Sequence, residues 1–463
     1  MINSGDTAWV LASGALVLFM TPGLAIFYGG MVRAKSALNM MMMSFAAIGV
    51  TTIIWVLYGY SLTFGTSHNG LIGDFSNVGL AKTLDQVVGP EGHQIPTLAF
   101  AMFQLTFAVI TVALLSGAIA DRAKYGSWVL FVGVWVTLVY IPVAHWAFAS
   151  QGGNGGWIID KLGALDFAGG TVVEINSGAA ALALALVLGK RDGFKRDPMR
   201  PHNMPLVLLG AGMLWFGWFG FNAGSALSAG SLAATAMINT QIASAAASMS
   251  WVFYEKRRDG KATTLGVASG AIAGAVVITP ACGYINPIGA LILGLIAGVV
   301  SNYAVSRKYK FGYDDSLDVV GVHGVSGIIG MIGIGMMGHG IATNLLKHGH
   351  ALSVLEHAGN QPLDTLVAAG VTTFKTPREL AAQSNIVILC VTGTPQVEAV
   401  LFGEQGVLQG LEPNSIVIDC STAVPASTER IAKFVSDYGC HFMDAAMTRT
   451  PKEAAEGRLN LLV

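Results

Sequence analysis

Ten stretches of this chain run nearly free of charge, each long enough to cross roughly 30 Å of hydrocarbon as a helix. They are Trp9–Met31, Met40–Gly65, Ile95–Ala120, Trp128–Phe148, Phe167–Gly189, Met204–Ala226, Ala234–Tyr254, Leu265–Ala281, Ile288–Val305 and a run beginning at Val319. The seventh and ninth give the weakest hydropathy signal. In lipid a backbone must satisfy its own polar groups, so runs of this kind fold as helices. Buried core helices of a soluble protein are the competing reading, and ten in succession argue against it. Only 11% of the residues are charged and 53% are hydrophobic, against about 25% charged in soluble domains. Fifty-eight glycines fit a bundle whose helices approach closely. A net charge of −1 leaves no basic footprint for nucleic acid. Cys282, Cys390, Cys420 and Cys440 show no CxxC spacing, so neither a metal site nor a disulfide framework is expected. The segment before Trp9 carries no basic residue, so no secretory signal is expected.

Basic residues favour the cytoplasmic side. Alternate loops carry Arg33 and Lys35; Arg122 and Lys124; Lys190, Arg191, Lys195, Arg196 and Arg200; Lys256, Arg257, Arg258 and Lys261; Arg307, Lys308 and Lys310. The other loops supply Lys82 and Lys161, so the ratio is sixteen to two. The N-terminus is therefore expected outside a plasma or inner membrane.

Ionisable groups near the bilayer centre cost about 2.5–3.5 kcal/mol on translocon scales and need a reason. Glu174 and His323 stand in the fifth and tenth runs, in matching contexts. Val173-Glu174-Ile175-Asn176-Ser177-Gly178 and Val322-His323-Gly324-Val325-Ser326-Gly327 both read V-[E/H]-x-x-S-G. The two runs cross in opposite directions, five helices apart. An inverted 5+5 repeat gives this pattern, with its site near the midplane where the halves meet. A pair of structural hydrogen-bonding groups is the alternative.

Longer motifs narrow the reading. They are Thr21-Pro22-Gly23-Leu24-Ala25-Ile26-Phe27-Tyr28-Gly29-Gly30, Asp166-Phe167-Ala168-Gly169-Gly170-Thr171, Gly217-Trp218-Phe219-Gly220-Phe221-Asn222-Ala223-Gly224-Ser225, Thr279-Pro280-Ala281-Cys282-Gly283 and Asp318-Val319-Val320-Gly321-Val322-His323. Together, from about Asp6 to Gly330, they resemble the ammonium transporter (Amt/Mep/Rh) family. The resemblance implies recruitment of ammonium at an outer vestibule, removal of a proton and passage of ammonia down a hydrophobic pore. It implies a vestibule at Phe107, Phe148 and Ser225, with Phe148 where relatives often carry Trp, and a gate of Phe107 and Phe221. Phe103 lies one turn from Phe107, and Trp218 belongs to the same motif as Phe221. Asp166 matches a buried carboxylate near the outer site, able to act on the cation at a distance or to hold its loop. Glu174 stands where the commonest pattern has a first histidine, and some fungal members are similar in this. The family further implies a homotrimer and regulation by a PII-type signalling protein. Its eleventh helix is expected to be missing from this chain.

After the tenth run the composition turns soluble. Gly333, Gly335 and Gly338 form a GxGxxG, followed by a helix-like run and an apolar strand at Ala351–Leu355. Glu356 then falls where an acid would bind a ribose hydroxyl. Strands at Ile386–Val391 and Ser415–Asp419 continue a βαβ series. Residues 331–463 resemble the nucleotide domain of the 3-hydroxyisobutyrate dehydrogenase family, through Gly333–Asn344, Val391–Val397, Asp419-Cys420-Ser421-Thr422 and Asp444–Arg449. The resemblance implies NAD held by the glycines, Glu356, Thr392 and Ser421. That family's catalytic lysine lies in a following helical domain, so no turnover is expected.

The expected fold is therefore an all-α polytopic membrane protein of about ten helices (1–330), followed by a truncated Rossmann-like α/β domain (331–463). The two readings compete at the junction. No Asp, Glu, Lys or Arg occurs from Val319 to Leu346, so the tenth helix can run to about Gly340. The dinucleotide fold needs Ile328–Gly333 as its first strand. A chimeric fusion is the expected explanation. Function reads as ammonium transport rather than enzyme; the alternatives are a membrane-anchored NAD-dependent 3-hydroxyacid dehydrogenase fragment and an ammonium sensor.

Overall fold

The computed structural model describes residues 2–462 except 152–153, 163, 198, 334–341, 343–344, 357–362, 369, 392–393, 422–424 and 449–459. They form two compact units, Met1–Gly333 and Ile334–Val463.

In the first unit a helix stands at each of the ten expected places. They are Ser4–Met31, Ala34–Phe64, Thr97–Leu115, Tyr125–Phe148, Gly170–Leu188, Met204–Gly224, Ser231–Asp259, Thr264–Ile278, Pro287–Phe311, and a tenth made of Val320–Val325 and Ser326–Gly333. Seven of these are long and apolar enough to cross a membrane; the eighth and tenth are shorter. The ninth was expected to be weak, but it is 25 residues long and among the seven. The seventh gives the weaker signal because its stripe is Ala and Ser rather than Leu. One of its buried polar side chains ties it to a neighbouring segment: Asn239 Nδ2 donates to the carbonyls of Cys282 (2.9 Å) and Ile285 (2.6 Å). Large apolar side chains face outward, Val187 (83% exposed) and Leu130 (71%) among them, as lipid-facing surfaces require.

The halves meet along paired elements. The first helix packs chiefly on the sixth, the first helix of the second half. The fifth and tenth helices both widen to π-helical turns, at Gly170–Ile175 and Val320–Val325. They cross where glycine removes the side chain. A Cβ on Gly178 would lie 2.3 Å from Gly324 Cα, and one on Gly327 would lie 3.0 Å from Glu174 Cβ. Gly178 and Gly327 close the two copies of the repeated motif, so each copy packs its last glycine against the other's centre.

The same packing decides the junction. Ser326–Gly333 is α-helical, which corrects the expected strand at Ile328–Gly333. Gly327 and Gly330 share a face at helical spacing. That face seats Gly327 on Glu174 and Ile175, and Gly330 on Val277 and Pro280. A strand would turn alternate residues away from these neighbours.

In the second unit the expected strands form, in separate sheets. Ser353–Leu355 pairs in parallel with Thr372–Phe374. Ile386–Leu389, Ile416–Asp419 and His441–Asp444 make a second parallel sheet in that order. Helices Pro377–Ala382, Thr394–Phe402 and Pro425–Asp437 alternate with them. A doubly wound sheet would set its first strand between two such groups, and the segment expected to supply it is helical. Val387, Leu389, Val397, Val417 and Ile431 are buried in this unit's main core.

Candidate functional site

Glu174 and His323 come together at the glycine crossing. His323 Nδ1 and Glu174 Oε2 are 2.6 Å apart, and the side chains are 6% and 1% exposed. The expectation that the mirrored helices bring a carboxylate and an imidazole to one point agrees with this geometry. Glu174 Oε1 is buried without a hydrogen-bond partner among the described residues. A cavity reaches Glu174 and His323 from one side, walled by Met20, Leu24, Leu114, Trp218 and Phe221. A second, walled by Tyr28, Met31, Leu317 and Val322, reaches His323 from the other. Phe27 and Ile272 line both. The imidazole thus sits between two narrow apolar chambers.

At the end of the first chamber four phenylalanines cluster. Phe107 and Phe221 lie nearly face to face, with ring centroids 4.2 Å apart and planes at 32°. Phe103 and Phe148 meet Phe107 edge-on, at 4.9 Å and 6.4 Å. Phe103, Phe107 and Phe221 are buried. Ser225 Oγ donates to the Phe221 carbonyl at 2.8 Å, one helical turn away. Trp218 packs against Phe221 at 5.7 Å, and its Nε1–H donates to Thr279 Oγ1 at 2.9 Å.

Asp166 holds a loop. Its carboxylate accepts the N–H groups of Gly169 (2.8 Å), Gly170 (2.6 Å) and Thr171 (2.7 Å). These are the unpaired donors at the start of the fifth helix. Gly169 has φ +103°, which a residue with a Cβ rarely adopts.

Two features escaped the sequence reading. Asn222 Nδ2 donates to Thr240 Oγ1 at 2.9 Å, and Thr279 Oγ1 lies 3.2 Å from Asn222 Oδ1; this network fixes Trp218 from behind. The second is Asp315. Its Oδ2 accepts Val320 N–H at 2.7 Å, as Asp166 Oδ2 accepts Thr171 N–H, in both cases five residues on. Asp166 stands eight residues before Glu174, and Asp315 eight before His323. The repeat therefore reads D-x7-[E/H]-x-x-S-G, and the recurrence of that spacing was the available signal.

The dinucleotide expectation does not fit what is described. Gly333 ends a helix instead of following a strand; Gly335, Gly338 and Thr392 lie outside the described residues. Glu356 follows its short strand and is exposed. Ser421 is buried, and its Oγ accepts Val391 N–H at 3.0 Å.

Residues 8–400 match the model of the Ammonium Transporter Family. The chain belongs to that family. The match runs beyond Gly330, where the motif resemblance ends. An ammonium transporter of Mycobacterium bovis is 51% identical, over 80% of this chain and 83% of its own length. One from Aquifex aeolicus is 50% identical, over 70% and 74%. The crystal structure of Saccharomyces cerevisiae Mep2 superposes with a TM-score of 0.66 at 36% identity, covering 72% of this chain and 76% of that one.

Proposed function

We propose that this chain conducts ammonium across a membrane by splitting it into ammonia and a proton, which the Glu174–His323 pair handles. The observation that carries the reading is the 2.6 Å hydrogen bond between those side chains, set between two apolar chambers. A bare ammonium ion among Met20, Leu24 and Leu114 would lose its hydration at a cost of several kcal/mol. Neutral ammonia avoids that cost. The cation is first attracted by the aromatic faces of Phe107 and Phe148, an interaction of about 0.5–2 kcal/mol. When imidazole Nδ1–H donates to the carboxylate, the pair carries one negative charge. Glu174 Oε1 and the other ring nitrogen are then acceptors for the proton that ammonium releases. The pair becomes neutral overall as it takes that proton, and ammonia continues past the imidazole.

The sixteen-to-two division of basic residues supports an N-terminus outside the cytoplasmic membrane. The homotrimer implied by the motif resemblance is part of the reading; a PII-type partner stays an expectation from that resemblance alone. The test is uptake of labelled methylammonium by cells lacking their own ammonium uptake. Cells making this chain take it up, and Glu174→Ala abolishes uptake. Unchanged uptake and unchanged charge movement in Glu174→Ala would sink the relay, and signalling without flux would identify a sensor.

A further inference from the structure

We propose that Asp315 receives the proton taken by the Glu174–His323 pair and delivers it to the aqueous side of the membrane opposite Asp166. The inference rests on the relay reading above and asks where the proton leaves. Ammonia exits as a neutral molecule, so the proton needs its own acceptor beyond His323. Asp315 lies in the loop that leads into the helix carrying His323, eight residues before it in sequence. Its side chain is buried (1% exposed), and Oδ1 has no hydrogen-bond partner among the described residues. A capping carboxylate uses one oxygen here, on Val320 N–H. The mirror-related Asp166 uses both.

Tyr28, whose hydroxyl donates to the Leu114 carbonyl at 3.1 Å, lies near both regions. It lines the second chamber with His323, and both Glu174 and Asp315 lie close enough to act electrostatically on it. Two residues beyond Asp315 in sequence, Leu317 walls that chamber. The groups facing Asp315 are Lys308, Asp318, Arg122, Tyr313 and Tyr28. Lys308 Nζ donates to the Asp315 carbonyl at 2.9 Å and to Asp318 Oδ1. Burial raises the Asp315 carboxyl, and Lys308 pulls it back, leaving it at about 6. Such a group is ionised and able to accept at neutral pH, and releases easily. The balance is simple: ammonium loses one proton to the pair, the pair passes one to the Asp315 carboxylate, and the neutral carboxyl releases one to water.

The test uses the full chain in proteoliposomes, with ammonium-evoked charge displacement as readout. Asp315→Asn keeps an oxygen for Val320 N–H but cannot titrate; the charge displaced falls tenfold or more. In the unsubstituted chain, acidifying the compartment on the Asp315 side through about pH 6 suppresses the charge; in Asp315→Asn the residual charge ignores that pH. A purely structural cap would not move this profile. Glu174→Gln is measured alongside. If it loses charge movement while Asp315→Asn keeps it, Asp315 is not the acceptor and the Glu174–His323 reading stands. If both keep it, the relay fails as well. Should Asp315→Asn not assemble, Asp315→Glu shifts the pH midpoint, and an unshifted midpoint overturns the proposal.

Discussion

Replacing Gly178 by Ala tests the helix crossing without touching either ionisable group. The added methyl would sit 2.3 Å from Gly324 Cα and 2.5 Å from Gly324 N. Carbon atoms in comfortable contact are about 3.5–4.0 Å apart, so the fifth and tenth helices must part by roughly 1.2–1.7 Å there. Backbone stands on the receiving side, so no flexible side chain can absorb the strain. The Glu174–His323 hydrogen bond is 2.6 Å long and one turn from the crossing. A similar displacement opens it to about 4 Å, beyond the ~3.2 Å reach of such a bond. Losing a positioned proton-transfer pair typically costs about 10²–10⁴ in rate, so ammonium-evoked current in proteoliposomes should fall at least about a hundredfold. Overpacking adds a stability loss of about 1–3 kcal/mol, read as a lower melting temperature in detergent. Gly324→Ala makes the graded comparison, because its methyl meets Gly178 Cα at 3.2 Å and needs only a few tenths of an ångström. Gly49→Ala meets nothing within 4 Å and serves as control. A folded Gly178→Ala protein with the current of Gly49→Ala would refute the reasoning.

Two further outcomes follow from named contacts. Asp314 accepts from Arg191 N (2.7 Å), Nε (2.9 Å) and Nη2 (2.8 Å). Burial pushes its carboxyl up, but these bonds and the charges of Arg191 and Arg122 prevail and hold it below the usual carboxylate range. The stabilisation is present above the unfolded value of about 3.9 and is lost as pH falls through the lower folded value. Asp314→Asn should therefore cost about 3–5 kcal/mol at neutral pH, with the melting-temperature gap narrowing below about pH 4. Thr279→Val removes the acceptor of the Trp218 N–H, at a cost of about 1–3 kcal/mol for the orphaned donor. Methylammonium uptake should fall in Thr279→Val and stay near the original level in Thr279→Ser; equal uptake in both would show that the indole needs no anchor.

Much of the first unit was legible because lipid demands long apolar helices, and ten such runs leave few alternatives. The pair was legible because Glu174 and His323 occupy one slot of a repeated motif whose glycines set the approach. Asp315 was missed because it lies in a loop between charged neighbours, where a carboxylate looks ordinary until its twin Asp166 is seen making the same bond. Ile328–Gly333 misled for a different reason. β-Branched and glycine residues there satisfy a strand pattern as well as a helix, and local propensity cannot arbitrate. Contacts of Gly327 and Gly330 with the fifth helix, Val277 and Pro280 settle it, and no window of sequence contains them. In the second unit the strand periodicity was readable, whereas the connection of its sheets depended on that same segment.

The most direct measurement of the central claim is the current evoked by an ammonium pulse across proteoliposomes containing the unsubstituted chain and Glu174→Gln, with methylammonium flux recorded in parallel. The account predicts current with the unsubstituted chain and its collapse in Glu174→Gln, where His323 keeps a hydrogen-bond partner but the carboxylate is gone. Undiminished current and flux in Glu174→Gln would contradict it.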